Sequence, residues 1–248
     1  MVKHIILTDA TLDAADVIVI TKGTLPQTIG SLAAGSYTVR NTSAPVAGEV
    51  SAVASGNWWT EGANIDLDYG NDRAYVAGTA YATIAAARAA GAIIVNANGN
   101  DTIAVSGLGT TYTLAGRGTT AATIGTEYIA AMGNSTNTNL VYIGTTSSGA
   151  SKAGGWLTDG TSRLAQTTST IPAASTFRAA VRVKSGAGLL SFNGVAGTST
   201  TTTSLPGGIN TLVIANRSTG ARAWTGTVNR VVLLNGDLTD TQVHALLA

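Results

Sequence analysis

The sequence predicts an all-β protein whose distal part is a sheet sandwich. Only 11% of residues are charged while 44% are hydrophobic, and mean hydropathy is +0.24. A chain so poor in charge and rich in apolar residues packs rather than staying disordered. From Tyr112 onward, short β-branched and aromatic runs recur about every ten residues, separated by Gly, Asn, Ser and Thr clusters, the signature of a sandwich or barrel. Asn-Gly pairs at 98–99, 193–194 and 235–236 supply tight turns, because both residue types tolerate positive φ.

The 248 residues suffice for one or two domains. Residues 1–62 read as a small β-rich N-terminal attachment region. His4–Leu7 and Val17–Ile20 are short β-rich runs, and Ser36–Val39 is a strand after the Ala34-Gly35 turn. Adjacent Trp58 and Trp59 would point to opposite sides of an extended segment, so they are assigned to a subunit or domain interface. Residues 63–106 read as a hairpin-helix connector. Ile65, Leu67 and Tyr69 alternate with Asp66 and Asp68, Gly70–Asp72 turns the chain, and Arg73–Val76 returns. Thr83 is placed to cap a helix from Ile84 to Ala90, with Gly91 just past its end. Ile93–Val105 is a second hairpin.

Residues 107–248 read as the sandwich itself. Strands are expected at 112–115, 128–132, 140–144, 155–157, 163–167, 177–184, 189–192, 211–215 and 228–234. In 177–184, Arg178, Arg182 and Lys184 share one face and Phe177, Ala179, Val181 and Val183 the other, a half-buried strand with a basic outer side. After the last strand, Thr239 and Gln242 have capping-box spacing, and Val243, Leu246 and Leu247 give a short helix an apolar face. A helix this short is stable only docked on the sheets.

The chain has no cysteine, so it forms no disulfide or thiolate metal site. Met1–Leu7 offers no signal-peptide core, and the most apolar stretch, 80–95, carries Arg88, so neither secretion nor membrane insertion is expected. Charge is uneven: residues 1–106 hold five Lys/Arg and nine Asp/Glu, residues 107–248 nine and four. No Lys/Arg cluster interleaved with aromatics points to nucleic acid. Phosphate-loop, nucleophile-elbow and zinc-protease motifs are absent from the sequence. His4 and His244 are isolated. Asp66, Asp68 and Asp72 lack the spacing of a calcium loop and are assigned to turns and caps. Glu127 with Asp159 is the one carboxylate pair that a glycosidase reading could use.

The order of GTEYIAAMGN (125–134), LVYIG (140–144), FRAAVRVKSGAGLLSFNG (177–194), SLPGGINTLVIANRS (204–218) and WTGTVNRVVLLNGDLTDTQVHALL (224–247) carries a family likeness. It resembles the concanavalin A-like (laminin-G-type) jelly-roll module of bacteriophage and prophage tail, fibre and spike proteins. LDYGNDRAYVAGTAYATIAAA resembles the hairpin and helix that precede it there. The resemblance implies a C-terminal jelly-roll sandwich closed by its last strand and helix, with Trp224, Gly226, Val228, Val231 and Leu233 structural. It also implies sugar binding, in relatives often with rim calcium. The rim residues here, Asn134, Asn137, Asn139, Asp159 and Asn216, lack paired carboxylates, so neither metal nor cofactor is expected.

Two readings stand. In one, the chain is a surface protein of a phage-like particle, made in the host cytoplasm, forming homo-oligomers and contacting other virion proteins. Its sandwich contacts host capsule or surface polysaccharide through Trp156, Asp159, Arg163 and Arg217. Trp156, beside Gly154-Gly155, is its exposed-aromatic candidate, with a core tryptophan as the alternative. In the other it is a structural decoration or spike-base protein without glycan binding. A polysaccharide-cleaving enzyme ranks last.

Overall fold

A computed structural model describes residues 59–60, 62–122, 125–134, 138–145, 154–165, 173–217, 220 and 222–247. The expectations for residues 1–58, Trp58 and His4 included, lie outside them, as does Asn137. The residues from Trp59 onward make one unit.

Fifteen strands and two short helices appear among the described residues. They are β1 (Ala63–Asp68), β2 (Arg73–Val76), β3 (Thr79–Tyr81), α1 (Ile84–Ala89), β4 (Ile94–Val95), β5 (Asp101–Ala104), β6 (Tyr112–Thr119), β7 (Glu127–Gly133) and β8 (Leu140–Thr145). Then come β9 (Gly154–Thr158), β10 (Thr161–Ala165), β11 (Thr176–Val183), β12 (Gly188–Phe192), β13 (Val195–Thr200), β14 (Thr211–Ile214), β15 (Thr227–Asn235) and α2 (Asp240–Ala245). One sheet has the order β13-β12-β11-β6-β15-β1-β2-β3, the other β10-β9-β8-β7-β14-β5-β4, and every pairing is antiparallel. The all-β, jelly-roll-like sandwich expected from the sequence is therefore the fold.

Residues 63–106 are not a connector ahead of that sandwich. β1 lies between β15 and β2 in the first sheet, and β5 pairs with β14 in the second. The local hairpins and helix form where expected, but their apolar faces enter the common core: Ile65, Leu67, Ala74, Ile84, Ile93 and Ile103 are all buried there. A hairpin alone is marginal in water, and joining both sheets buries what it would otherwise expose. Arg88 of α1 closes the seam by donating twice, at 2.8 Å each, to Asp101, which also accepts from Tyr69 Oη at 2.7 Å. Burial and the Asp101 carboxylate push the Tyr69 phenol far above its ordinary range.

Alternation sets the two faces of the first sheet. Phe177, Ala179, Val181 and Val183 point into the core beside Leu114, Val231 and Leu233. The opposite face carries Ala115, Ala180, Leu189, Val232 and Leu234, and α2 docks there through Val243, with Leu238, Leu246 and Leu247 beside it. Thr239 and Gln242 form the expected capping box. Asn235 ties the last strand to the start of the sandwich: Gly109 N–H donates to its Oδ1 at 2.9 Å and its Nδ2 donates to Gly107 O at 2.9 Å.

The basic outer side of β11 is not simply solvated. Arg182 is buried under the start of α2, donating to Leu238 O at 2.7 Å and to Ala187 O at 2.9 Å, with Asp240 Oδ1 at 2.7 Å. Lys184 is paired with Asp237. Both cations therefore anchor the closing helix.

Candidate functional site

The structure does not bring the expected contact residues together. Trp156 is a core residue, with no exposed area, on the inner face of β9 opposite Val141. Its indole N–H donates to Ser204 O at 3.4 Å. The glycines near it do not expose it. Gly188 leaves space for the ring, since a Cβ there would collide with Trp156 Cη2, and Gly154 faces Val181 and Leu190. Trp156 is therefore not a sugar platform.

Asp159 and Arg163 are exposed at the β9–β10 turn. Asp159 takes a left-handed φ of 49°, and its N–H donates to Asn139 Oδ1 at 3.3 Å. Arg217 lies at the other end of the sheet, where Ala215 N–H donates to Ile129 O at 2.8 Å. β8 separates the two places by about 17 Å at its strand rise. Arg217 and Arg222 both have N–H groups donating to Asn216 Oδ1, and both guanidinium groups oppose the upward effect of burial on the Tyr128 phenol. Tyr128 stacks on Tyr142 at 4.7 Å between ring centroids, and both are nearly buried.

Glu127 and Asp159 are likewise at opposite ends of β8, because Glu127 pairs with Thr145 and Asp159 with the Asn139 end. Two-carboxylate glycoside hydrolysis works at roughly 5–9.5 Å, so they form no such pair. Glu127 instead accepts from Thr225 N–H at 3.0 Å and from its hydroxyl at 2.8 Å. Trp59 is half-buried and stacks on Tyr75 at 4.5 Å and 10°. His244 Nδ1 lies 2.9 Å from the buried Ser191 hydroxyl. Asp72 accepts from Ile84 N–H at 3.0 Å, adding to the Thr83 cap of α1.

What the fold does assemble is a groove on the outer face of the first sheet. Its floor is β15, one wall is the end of α2, and the other is the β1–β2 turn. Two recesses of about 610 and 230 Å³ share Arg230 and Leu247. The larger is apolar along Leu234, Leu238, Leu246 and Leu247. The smaller is polar, lined by Asp68, Asn71, Arg117 and Asn229. Arg230 is held at the junction by both oxygens of the fully buried Asp66, at 2.8 and 2.7 Å. Asp66 also accepts from Thr60 N–H at 2.6 Å, and the Asp66 carboxylate holds the Arg230 guanidinium above its usual range. Asp68 is nearly buried and accepts from Asn71 N–H at 3.1 Å and Asn71 Nδ2 at 2.9 Å. Asn229 Oδ1 accepts from Thr227 Oγ1 at 3.2 Å.

The sequence signals for this groove are split between distant segments. Asp66 and Asp68 read as the polar half of an alternating strand, and Asn229 and Arg230 as interruptions of an apolar one. A register shift between Val228 and Arg230 places both near Arg117. That bulge carries no sequence mark.

No family model matches the chain, and no curated protein does. Several solved structures are similar to the chain at a distance. One is domain 4 of AbnA, a GH43 extracellular arabinanase from Geobacillus stearothermophilus, in complex with arabinotriose; it has 16% identity over 63% of this chain and 76% of that one, at a TM-score of 0.47. The Ruminococcus gnavus IT-sialidase CBM40 bound to α2,3 sialyllactose has 15% identity over 57% and 84%, at 0.44. The heptameric SAP-like pentraxin of Limulus polyphemus has 16% over 56% and 70%, also at 0.44. These are likenesses of sheet arrangement at a distance that carries no site residue.

Proposed function

We propose that the chain is a surface protein of a phage-like particle whose sandwich binds host-surface saccharide in the groove along β15. The observation that carries the binding half is the composition of the groove. Two carboxamides, a carboxylate and two guanidinium groups converge on the smaller recess, and leucine side chains line the adjoining one. Sugars present hydroxyls that both donate and accept, together with apolar C–H faces. Asn donates and accepts, Asp accepts and Arg donates, so the polar end matches both roles. The particle half rests on the ordered motifs from Gly125 to Leu247 described above.

The test is binding of the full chain to host capsule fragments or a glycan array, with Asn71→Ala and Asn229→Ala as variants. Each variant is expected to weaken binding by about fivefold, the effect of one lost hydrogen bond of about 1 kcal/mol. Binding that neither variant weakens, or no binding to any saccharide, overturns the reading.

The purely structural reading draws on a separate observation. Among the described residues both sheets end in strands carrying exposed apolar residues, Ile94 and Val95 on β4 and Val195 on β13. Such edges suit packing against further copies. Particles lacking the protein discriminate: intact particles that fail to adsorb support saccharide contact, whereas fragile or unassembled particles support the structural role.

A further inference from the structure

We infer that Arg117 is the seat of an oxyanion in the β15 groove, so that its ligand is an acidic rather than a neutral saccharide; the saccharide half rests on the function proposed above. The observation is a row of charge across the outer face of the first sheet. Arg178 of β11 lies directly opposite Arg117 of β6, Arg117 opposite Arg230 of β15, Arg230 opposite Asp68 of β1, and Asp68 opposite Arg73 of β2. Neighbouring strands are about 4.8 Å apart, and like charges directly opposite destabilise a sheet. Three arginines in consecutive positions are thus a feature the fold tolerates rather than gains from.

Of the exposed arginines in the row, Arg117 is the one that lines the groove. Arg230 is engaged by Asp66, and the Asp68 carboxylate by Asn71. Arg182 and Lys184, on the same face, are engaged by Asp240 and Asp237 under α2. Arg178 lies over the β12–β13 turn, where a Cβ at Gly194 would collide with its Nη2. Among the described residues the Arg117 guanidinium has no hydrogen-bond or ion-pair partner; it is exposed and lines the smaller recess with Asn71 and Asn229. Arg178, Arg117 and Arg230 stand against Asp66 and Asp68, so this part of the row stays positive by one charge. A planar, five-donor guanidinium takes carboxylate, phosphate or sulfate through two parallel bonds. An acid group seated there would relieve repulsion along the row. The flanking carboxamides would remain for the hydroxyls of the sugar bearing it.

The experiment uses the full chain with ¹⁵N-labelled arginine, following the Nε–Hε signals. Inorganic phosphate is titrated first, then glucuronate and glucose. Phosphate is expected to shift the Arg117 signal saturably, with a response that weakens as sodium chloride rises. Glucuronate is expected to bind about tenfold tighter than glucose, the ratio given by about 1.4 kcal/mol from a charge-assisted bond. Arg117→Gln is expected to bring that ratio close to one. Because Arg117 is exposed and unpartnered, the variant is expected to fold, which its amide spectrum verifies. Arg178→Gln, one strand away, is expected to lower the ratio by a smaller factor. Phosphate shifts with no response to either sugar would support the anion seat and remove the saccharide reading. Sugar binding with no acid preference, or a preference that survives Arg117→Gln, would overturn the inference and leave the saccharide reading standing.

Discussion

Trp156 offers the sharpest test of the division between core and surface. Its side chain is fully buried, and a Cβ on Gly188 would collide with the ring. Trp156→Ala removes the indole and leaves a cavity that a sandwich, held on both sides by strand ladders, refills only partly. Large-aromatic truncations in such cores cost about 3–5 kcal/mol. For a unit of this size each kcal/mol lowers Tm by about 2–4 °C, so the expected drop is about 6–20 °C. Trp156→Phe keeps a ring and loses the bond to Ser204, so a smaller loss is expected. Gly188→Ala should destabilise by about 1–3 kcal/mol through overpacking. Combined with Trp156→Phe it should cost less than the sum, because the smaller ring gives room to the new Cβ. The assay is urea and thermal unfolding of the four variants, with saccharide binding measured where each is folded. A Trp156→Ala protein within 1 kcal/mol of the parent that has lost binding would refute the reasoning, since that outcome belongs to an exposed platform.

Three further outcomes follow from the same structure. Asp66→Asn leaves Arg230 without its buried charge partner, and a loss of about 3 kcal/mol is expected in denaturant unfolding. Arg182→Met removes the donors that hold Leu238 O and Asp240, so faster hydrogen exchange and proteolysis confined to the last fifteen or so residues are expected. Burial raises the phenols of Tyr69, Tyr112, Tyr128 and Tyr142 above the ordinary tyrosine value. The unfolded chain releases these protons near pH 10 while the folded chain keeps them. Their contribution to stability is therefore constant below that pH and falls above it, by about 1.4 kcal/mol per pH unit for each retained phenol. Absorbance titration is expected to show delayed ionisation ending in cooperative unfolding; four phenols ionising normally in the folded chain would contradict this.

The parts of this fold legible in the sequence are those fixed by local chemistry. Period-two alternation in 177–184 set which residues face the core, and Asn193-Gly194 set a hairpin, with Asn193 at a φ of 48° and Gly194 at 82°. The Thr239–Gln242 spacing set a capping box because both partners lie within one turn. Long-range placement was not legible in this way. The alternation of Ile65 with Asp66 shows one buried face, but not that the polar face would meet Arg230, 164 residues on. β13, with the sequence VAGTST, has too few apolar residues to read as a strand and forms because β12 offers it an edge. Trp156 was open between platform and core for a related reason. Glycines beside an aromatic signal an open surface equally with a close approach from another strand, and Gly188, thirty-two positions away, decides between them.

The same limit explains why the C-terminal stretch proves to be more than closure. Residues 222–248 carry the turn, cap and apolar spacing that seal a sandwich, and Asn235, Thr239 and Val243 do this. Sealing lays α2 over β11 and β12, and only the flanking Leu238, Leu246 and Leu247 reach Val232 and Leu234 of β15. Beside these leucines the same strand carries Asn229 and Arg230, next to Arg117. The groove is thus apolar where the leucines lie and polar beyond them. Leu247 lines both recesses, so Leu247→Trp should fill the step between them. The variant is expected to fold while losing most saccharide binding. Retained binding in the folded variant would place the ligand elsewhere on the sandwich.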